Sequence, residues 1–301
     1  MKEIIYKIAY FPPVNFVIIN LIKVINKLAS KNLSIPPSGS HKYQISNNQT
    51  IIIDSNQTSY LTKVIYWKGL NSFEYTSLFL DFIKQFEGFI DIGANIGYYS
   101  ILAAKSNNKI QIYAFEPAFG PFHYLDKNIK LNKLNNRVNY FQLALSDKSG
   151  VVDFYEFYNP KYKKVKYNLG GTSSLNTDSQ NKLLTKTTIE ALTLDEFVSK
   201  NEIKVVDLIK IDTEGSEDLI LSHATETLSK FRPIVICETL FDKIEPQLEN
   251  LFSQLDYKFY NHSENELTPV DTIIRKVDNG IRDCFFVPKE KIHLISKYVN
   301  K

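Results

Sequence analysis

Downstream of residue 88, short apolar runs alternate with stretches of helical period. Residues 89–92, 109–115, 138–145, 204–211, 234–238, 258–260 and 283–287 have the length and composition of strands, and 96–105 and 119–134 those of helices. Strands separated by helices predict an α/β fold, a doubly wound and mostly parallel sheet covered on both faces. The last two strands have only a loop between them, which predicts an antiparallel pair at the sheet edge. Upstream, Phe79, Phe82, Ile83 and Phe86 fall at i, i+3, i+4 and i+7, the buried face of a helix over 73–86. Runs at 50–54 and 61–67, either side of a polar turn at 55–59, predict a β-hairpin. Residues 32–42 are rich in Pro, Ser and Gly and read as a linker. A helix over 14–30 precedes it, with Lys23, Lys27 and Lys31 one turn apart on one face. It is expected to pack on the main domain, the alternative being weak peripheral contact with a membrane. The expected organisation is a helical extension and linker (1–42), a hairpin and helix (43–87) and the main domain (88–301).

Composition narrows the picture. A chain of 301 residues that is 44% hydrophobic can bury a large core. Its net charge of +3 is too small to argue for a nucleic-acid surface. Cys237 and Cys284 sit in apolar runs without CxxC spacing, so neither a zinc site nor a disulfide framework is expected, and a reducing cytoplasm fits. The apolar run 8–22 is shorter than the ~20 residues of a spanning helix and is interrupted by Pro12, Pro13, Asn15 and Asn20; no cleavage site marks a secretory signal.

The most informative segment is Phe89-Ile90-Asp91-Ile92-Gly93-Ala94-Asn95-Ile96-Gly97, a strand entering a glycine-bearing turn and then a helix. Gly93 permits a tight turn off the strand, Gly97 a close helix start, and Asn95 tolerates unusual dihedrals. A dinucleotide site would read G-x-G-x-x-G; here the spacing differs and Asp91 precedes the first glycine. A carboxylate is unfavourable beside pyrophosphate and favourable beside the ammonium and sulfonium of S-adenosylmethionine. Glu116, 19 residues after Gly97, ends the second strand before Pro117 and is placed to accept ribose hydroxyls. Ser146 and Asp147 end the third strand, Asp147 as a candidate acceptor for the adenine amine. Open α/β sheets bind ligands at such strand ends.

These segments, with Asn132 and the string Lys210-Ile211-Asp212-Thr213-Glu214-Gly215-Ser216-Glu217, resemble the FkbM family of S-adenosylmethionine-dependent methyltransferases over about residues 50–290. The resemblance implies a seven-stranded Rossmann-like sheet with an antiparallel last strand. It also implies methyl transfer to a hydroxyl of a sugar, glycan, lipid or secondary metabolite. It places the cofactor on Asp91, Gly93, Ala94, Asn95, Gly97, Glu116, Pro117, Ser146 and Asp147. His223 stands where the family leads one to expect glycine.

Methyl transfer to oxygen needs alignment and one base. Asp212, ending the fourth strand, is the leading candidate, with Glu214 and Glu217 as further catalytic candidates; both glutamates would also suit a helix first turn. No His cluster supports a metal, and none is assigned. Glu238 ends the fifth strand and is expected at the acceptor, with His123 and His262 as lesser candidates for the base. The stretch 158–176 carries Lys161, Lys163, Lys164 and Lys166 among tyrosines and is expected as a surface loop; as a lid, its Gly170, Gly171, Ser173 and Ser174 would reach the acceptor. Thr193-Leu194-Asp195-Glu196 reads as a structural capping box. No (Asn/Asp)-Pro-Pro-(Tyr/Phe) string follows the fourth strand, which argues against a base-amine methyltransferase. The competing readings are a nicotinamide-dependent oxidoreductase, which Asp91 opposes, and a non-catalytic scaffold, which the carboxylate run opposes.

Overall fold

A computed structural model describes residues 2–157, 165–170, 184–264 and 266–300. The chain opens with α1 (Lys2–Ala9), α2 (Pro12–Ala29), β1 (Gly39–Ser46), β2 (Gln49–Ser55), α3 (Tyr60–Lys68) and α4 (Thr76–Phe82). There follow β3 (Gly88–Ile92), α5 (Tyr98–Ser106), β4 (Gln111–Phe115), α6 (Phe119–Leu131), β5 (Asn139–Phe141), β6 (Ala144–Leu145), β7 (Gly150–Phe157) and β8 (Leu184–Leu192). The last part holds α7 (Leu194–Lys200), β9 (Leu208–Ile211), α8 (Glu217–Ser222), α9 (Thr225–Phe231), β10 (Ile234–Glu238), α10 (Glu245–Gln254), β11 (Tyr257–Ser263), β12 (Glu266–Val270), β13 (Asp283–Pro288) and α11 (Ile292–Ile295).

The main sheet runs β5-β4-β3-β9-β10-β13-β11-β12. The five strands from β5 to β10 are parallel. Strand β13 enters antiparallel between β10 and β11. The sheet is thus the expected Rossmann-like one with an antiparallel late strand, enlarged to eight strands by β12. That added strand carries Pro269 and buries Leu267 alone, so its sequence gives little strand signal; an edge position tolerates the proline. Chain order reverses between β3 and β9, and the crevice beyond their carboxyl ends is where this architecture binds ligands. The faces of the sheet are apolar in alternation. Phe89 packs with Phe79, Phe82 and Ile101 on one side, and Ile90 and Ile92 with Phe197, Leu228 and Phe252 on the other.

Three expectations are corrected. The run 61–67 is not a strand but helix α3, because Ser59 caps it through the Thr62 N–H (3.2 Å) and Gly69 (φ +91°) ends it. The hairpin lies one run earlier, β1 with β2, so the expected linker already becomes strand at Gly39. The third strand divides: β5 stays in the main sheet, while β6 joins β8 and β7 in a separate three-stranded sheet. The hairpin is tied to the core by α6. Asn128 Oδ1 accepts the Asp54 N–H (2.7 Å), and Asn132 Oδ1 accepts the Ile52 N–H (2.9 Å), two side chains standing in for a neighbouring strand.

Candidate functional site

Strand β3 ends at Ile92, and the chain turns through Gly93 (φ +69°). A Cβ on Gly93 would lie 1.8 Å from the Asp212 carbonyl oxygen, so β9 passes against this loop closer than any side chain allows. Asn95 adopts the left-handed conformation (φ +50°) and gives its N–H to Glu116 Oε2 (2.8 Å); Glu116 Oε1 takes the Ala118 N–H (2.9 Å). Glu116 thereby braces the loop from the end of β4 and still has acceptor capacity toward the crevice. Burial pushes its carboxyl up to about 7 against the pull of those two N–H groups. Gly97 (φ +85°) serves packing: a Cβ there would meet Leu125 of α6 at 2.6 Å.

The crevice encloses about 670 Å³, counting space open to solvent at its mouth. Gly93, Asn95, Glu116 and Pro117 line it as expected, with Phe115, Leu143, Leu145 and Ile220 as apolar walls and Asp212, Thr213 and Glu214 on the far side. Ala94, Gly97, Ser146 and Asp147 do not line it. Ala94 gives its N–H to Phe115 (2.9 Å) behind the loop, and the third-strand wall stops at Leu145. Gly170 also lines it, since 165–170 packs inward, Leu169 donating its N–H to Thr58 Oγ1 (2.8 Å). Gly171, Ser173 and Ser174, with Lys161, Lys163 and Lys164, lie outside the described residues.

Asp91 is corrected in a different way. It is 0% exposed and lies beneath the crevice, accepting from Ser100 Oγ (2.6 Å) and standing 3.6 Å from Lys210 Nζ. Burial raises its pKa and Lys210 opposes the rise. Lys210, buried at 4% exposure, is the residue that sequence reasoning left without a role. Its ammonium donates to the Gly93 carbonyl (2.8 Å) and lies 3.6 Å from Asp212 Oδ2, joining both strand ends. Burial alone would lower its pKa, but Asp212 and Asp91 outweigh that and raise it.

Glu217 does not line the crevice. It is 0% exposed, and its carboxylate accepts the N–H groups of Thr213 (2.6 Å) and Gly215 (3.0 Å), fixing the turn that carries Asp212 and Glu214. Glu217 does stand in the first turn of α8, where an acid suits the macrodipole, but these bonds brace the turn ahead of the helix rather than cap it. Asp212, half-buried, faces two cavities. The second, about 920 Å³ including open space, is lined by Asp212, Glu74, Glu238, His262, Arg282 and Asp283. Burial first, and neighbouring acids second, push Glu238 up to about 9, Glu74 to about 8, and Asp283 and Glu214 to about 7. Glu74 is exposed as a residue, so its shift is the one that solvent screens most. Burial takes His262 down to about 4, and among the described residues its Nε2 has no hydrogen-bond partner. His123 lines neither cavity and stacks on Tyr167. Carboxylate oxygens of Asp212, Glu214 and Glu238 lie within 4.8 Å of one another, near enough to share one divalent cation. Glu74 comes from the turn before α4 and Asp283 from the start of β13, paired with Glu238, and no motif marks either.

The capping box is structural, Thr193 Oγ1 accepting the Glu196 N–H (3.1 Å). His223 ends α8 at φ −103°, outside the left-handed region, so glycine is not needed there.

An open, mostly parallel sheet with a glycine turn, a second-strand acid and carboxylates beyond the fourth strand forms the strand-end crevice in which such sheets bind their ligands. The methyltransferase FkbM domain matches residues 91–264, and the chain belongs to that family. It is 27% identical over 190 residues to methyltransferase sdnD of Sordaria araneosa, covering 54% of this chain and 70% of that one. It is 31% identical over 150 residues to the 31-O-demethyl-FK506 methyltransferase FkbM of Streptomyces tacrolimicus, covering 44% and 57%. To the 2-O-methyltransferase NoeI of Sinorhizobium fredii it is 26% identical over 148 residues, covering 48% and 59%. The matched part thus spans less than two thirds of the latter two. Among the described residues, no helix is long and apolar enough to cross a membrane.

Proposed function

We propose that this protein transfers the methyl group of S-adenosylmethionine to a hydroxyl oxygen on a sugar, glycan, lipid or other small acceptor. The observation that carries the reading is the place of Asp212, which lines both the glycine-loop crevice and the carboxylate-lined second cavity. The names of two relatives, a 31-O-demethyl and a 2-O-methyltransferase, support oxygen as the target.

The crevice fits the cofactor on its own chemistry. The side-chain-free cradle at Gly93, the acceptor capacity of Glu116 and the apolar walls Phe115, Leu143 and Leu145 suit an amino acid joined to a nucleoside. Bound there, S-adenosylmethionine supplies an electrophilic methyl on a sulfonium. Gly93, Asn95, Glu116 and Pro117 hold it directly; Asp91, Ala94 and Gly97 shape the loop beneath. Ser146 and Asp147, next along the chain from the lining residue Leu145, would be the contacts for the adenine. Asp212 is placed to take the proton of the acceptor hydroxyl. Glu238 retains its proton near neutral pH and donates a hydrogen bond to an acceptor oxygen, while neutral His262 accepts one and exposed Glu74, held by the Tyr99 hydroxyl, offers an acceptor oxygen. Lys210 holds Asp212 in register with the glycine loop. Gly171, Ser173 and Ser174 would bind the acceptor.

Calorimetric titration with S-adenosylmethionine, with NADH as control, tests the cofactor. Binding of the former and not the latter is expected. Asp212→Asn is expected to keep cofactor binding within about threefold and to lower kcat by about 10²–10⁴. Binding of NADH alone, or full turnover by Asp212→Asn, overturns the reading.

A further inference from the structure

Helix α2 is built inside out. Its two fully buried side chains are Asn15 and Ile19, and its amides do the anchoring. Asn15 Oδ1 accepts the Ser38 N–H (2.8 Å), and Asn26 exchanges two hydrogen bonds with the backbone of Leu33 (2.8 and 2.9 Å). At about 100° per residue, Phe16, Val17, Leu21, Val24, Ile25 and Leu28 fall away from that face, and all six are exposed. Helix α1 extends the surface with Ile4, Ile5 and Ile8. A helix covering a core in water has the opposite arrangement. Most of the exposed large apolar side chains among the described residues lie between Ile4 and Leu33. A patch of that kind marks an interaction site.

The charge around it selects the partner. Glu3 is the sole acid before Asp54, whereas Lys7, Lys27 and Lys31 are exposed beside the patch. Two copies meeting here would bring lysines together with no acids to pair them. An anionic lipid surface accepts both the apolar stripe and the lysines. No helix among the described residues can span the bilayer, so contact is at headgroup depth. We propose that α1 and α2 dock this protein on an anionic membrane surface. The proposal stands independently of the methyl-transfer reading.

The test is co-sedimentation of the full chain with vesicles of phosphatidylcholine alone and of phosphatidylcholine mixed with phosphatidylglycerol. Binding to the mixed vesicles, weak on the neutral ones, is expected. A Leu21→Asp, Ile25→Asp double variant should lose it while melting at the wild-type temperature, since both positions are exposed. Lys27→Gln and Lys31→Gln should each weaken partitioning about fivefold. Wild-type protein left in solution with both vesicles overturns the proposal, as does equal binding to both. A dimer in sedimentation velocity that the double variant dissolves, without vesicle binding, assigns the surface to a second copy and also overturns it.

Discussion

At the scale of single residues, the crevice rests on contacts that tolerate no change of size or charge. Gly93 combines a left-handed backbone with a Cβ position already occupied by the Asp212 carbonyl. Gly93→Ala is therefore expected to cost about 3 kcal/mol or more in stability and to abolish cofactor binding, both readable by thermal melting with and without S-adenosylmethionine. Glu217 separates support from chemistry. Glu217→Ala removes the buried carboxylate that accepts the half-buried Thr213 and Gly215 N–H groups, and about 1–3 kcal/mol of stability should be lost in denaturant unfolding. Asp212→Asn takes one of two carboxylates from the buried Lys210 ammonium but also relieves repulsion on Glu214 and Glu238, so it should cost less stability than Glu217→Ala while turnover falls. The sequence placed three acids together at 212–217, but a carboxylate turned onto its own backbone and one turned into a cavity look alike in a string of letters.

At the scale of elements, α6 does more than cover the sheet. Asn128 is fully buried and bonds both the backbone of β2 at Asp54 and the glycine loop at the Ile96 carbonyl (3.0 Å). Asn128→Ala is expected to loosen the hairpin and the loop together, lowering stability by about 2–3 kcal/mol and weakening cofactor affinity, measured by unfolding and calorimetry. A loss of stability with unchanged affinity would show that the loop holds its shape without this amide. Elements with a strong period were legible: α2, α4, α5, α6 and the buried strands β3, β4, β9, β10 and β13 stand close to where apolar spacing puts them. The failures have local causes. Helix α3 is rich in β-branched and aromatic residues, and its Ser59 cap and Gly69 stop were outweighed by that composition. Strands β7 and β8 pair with each other and β6 alone, with alternation too polar to stand out.

For the whole molecule, the notable property is the gathering of acids from separate parts of the chain. Glu74, Asp212, Glu214, Glu238 and Asp283 surround one region, with Lys210 as the buried cation among them. Raised carboxyl pKa values mean that the native state binds these protons more tightly than the unfolded chain. Their stabilising contribution is complete below the unfolded values near 4 and is lost as pH rises through the native values of about 7 to 9. The protein without cofactor should therefore melt at progressively lower temperature between about pH 5 and pH 9, and Glu238→Gln should flatten that slope. A melting temperature that rises over this range would refute the clustering.

The sequence by itself determined the α/β class, the strand that enters the glycine turn, the acid ending the second strand and the carboxylate beyond the fourth. Each is a local pattern, a period or spacing enforced by backbone geometry within a few residues. Tertiary structure alone decided which acids face a cavity and which brace a loop. It alone turned Asp91 down onto Lys210, brought Glu74 and Asp283 to the site, and left the apolar face of α2 uncovered. Those outcomes depend on packing between residues far apart in the chain, and burial, which sets both proton affinity and contact, exists only once the sheet has assembled.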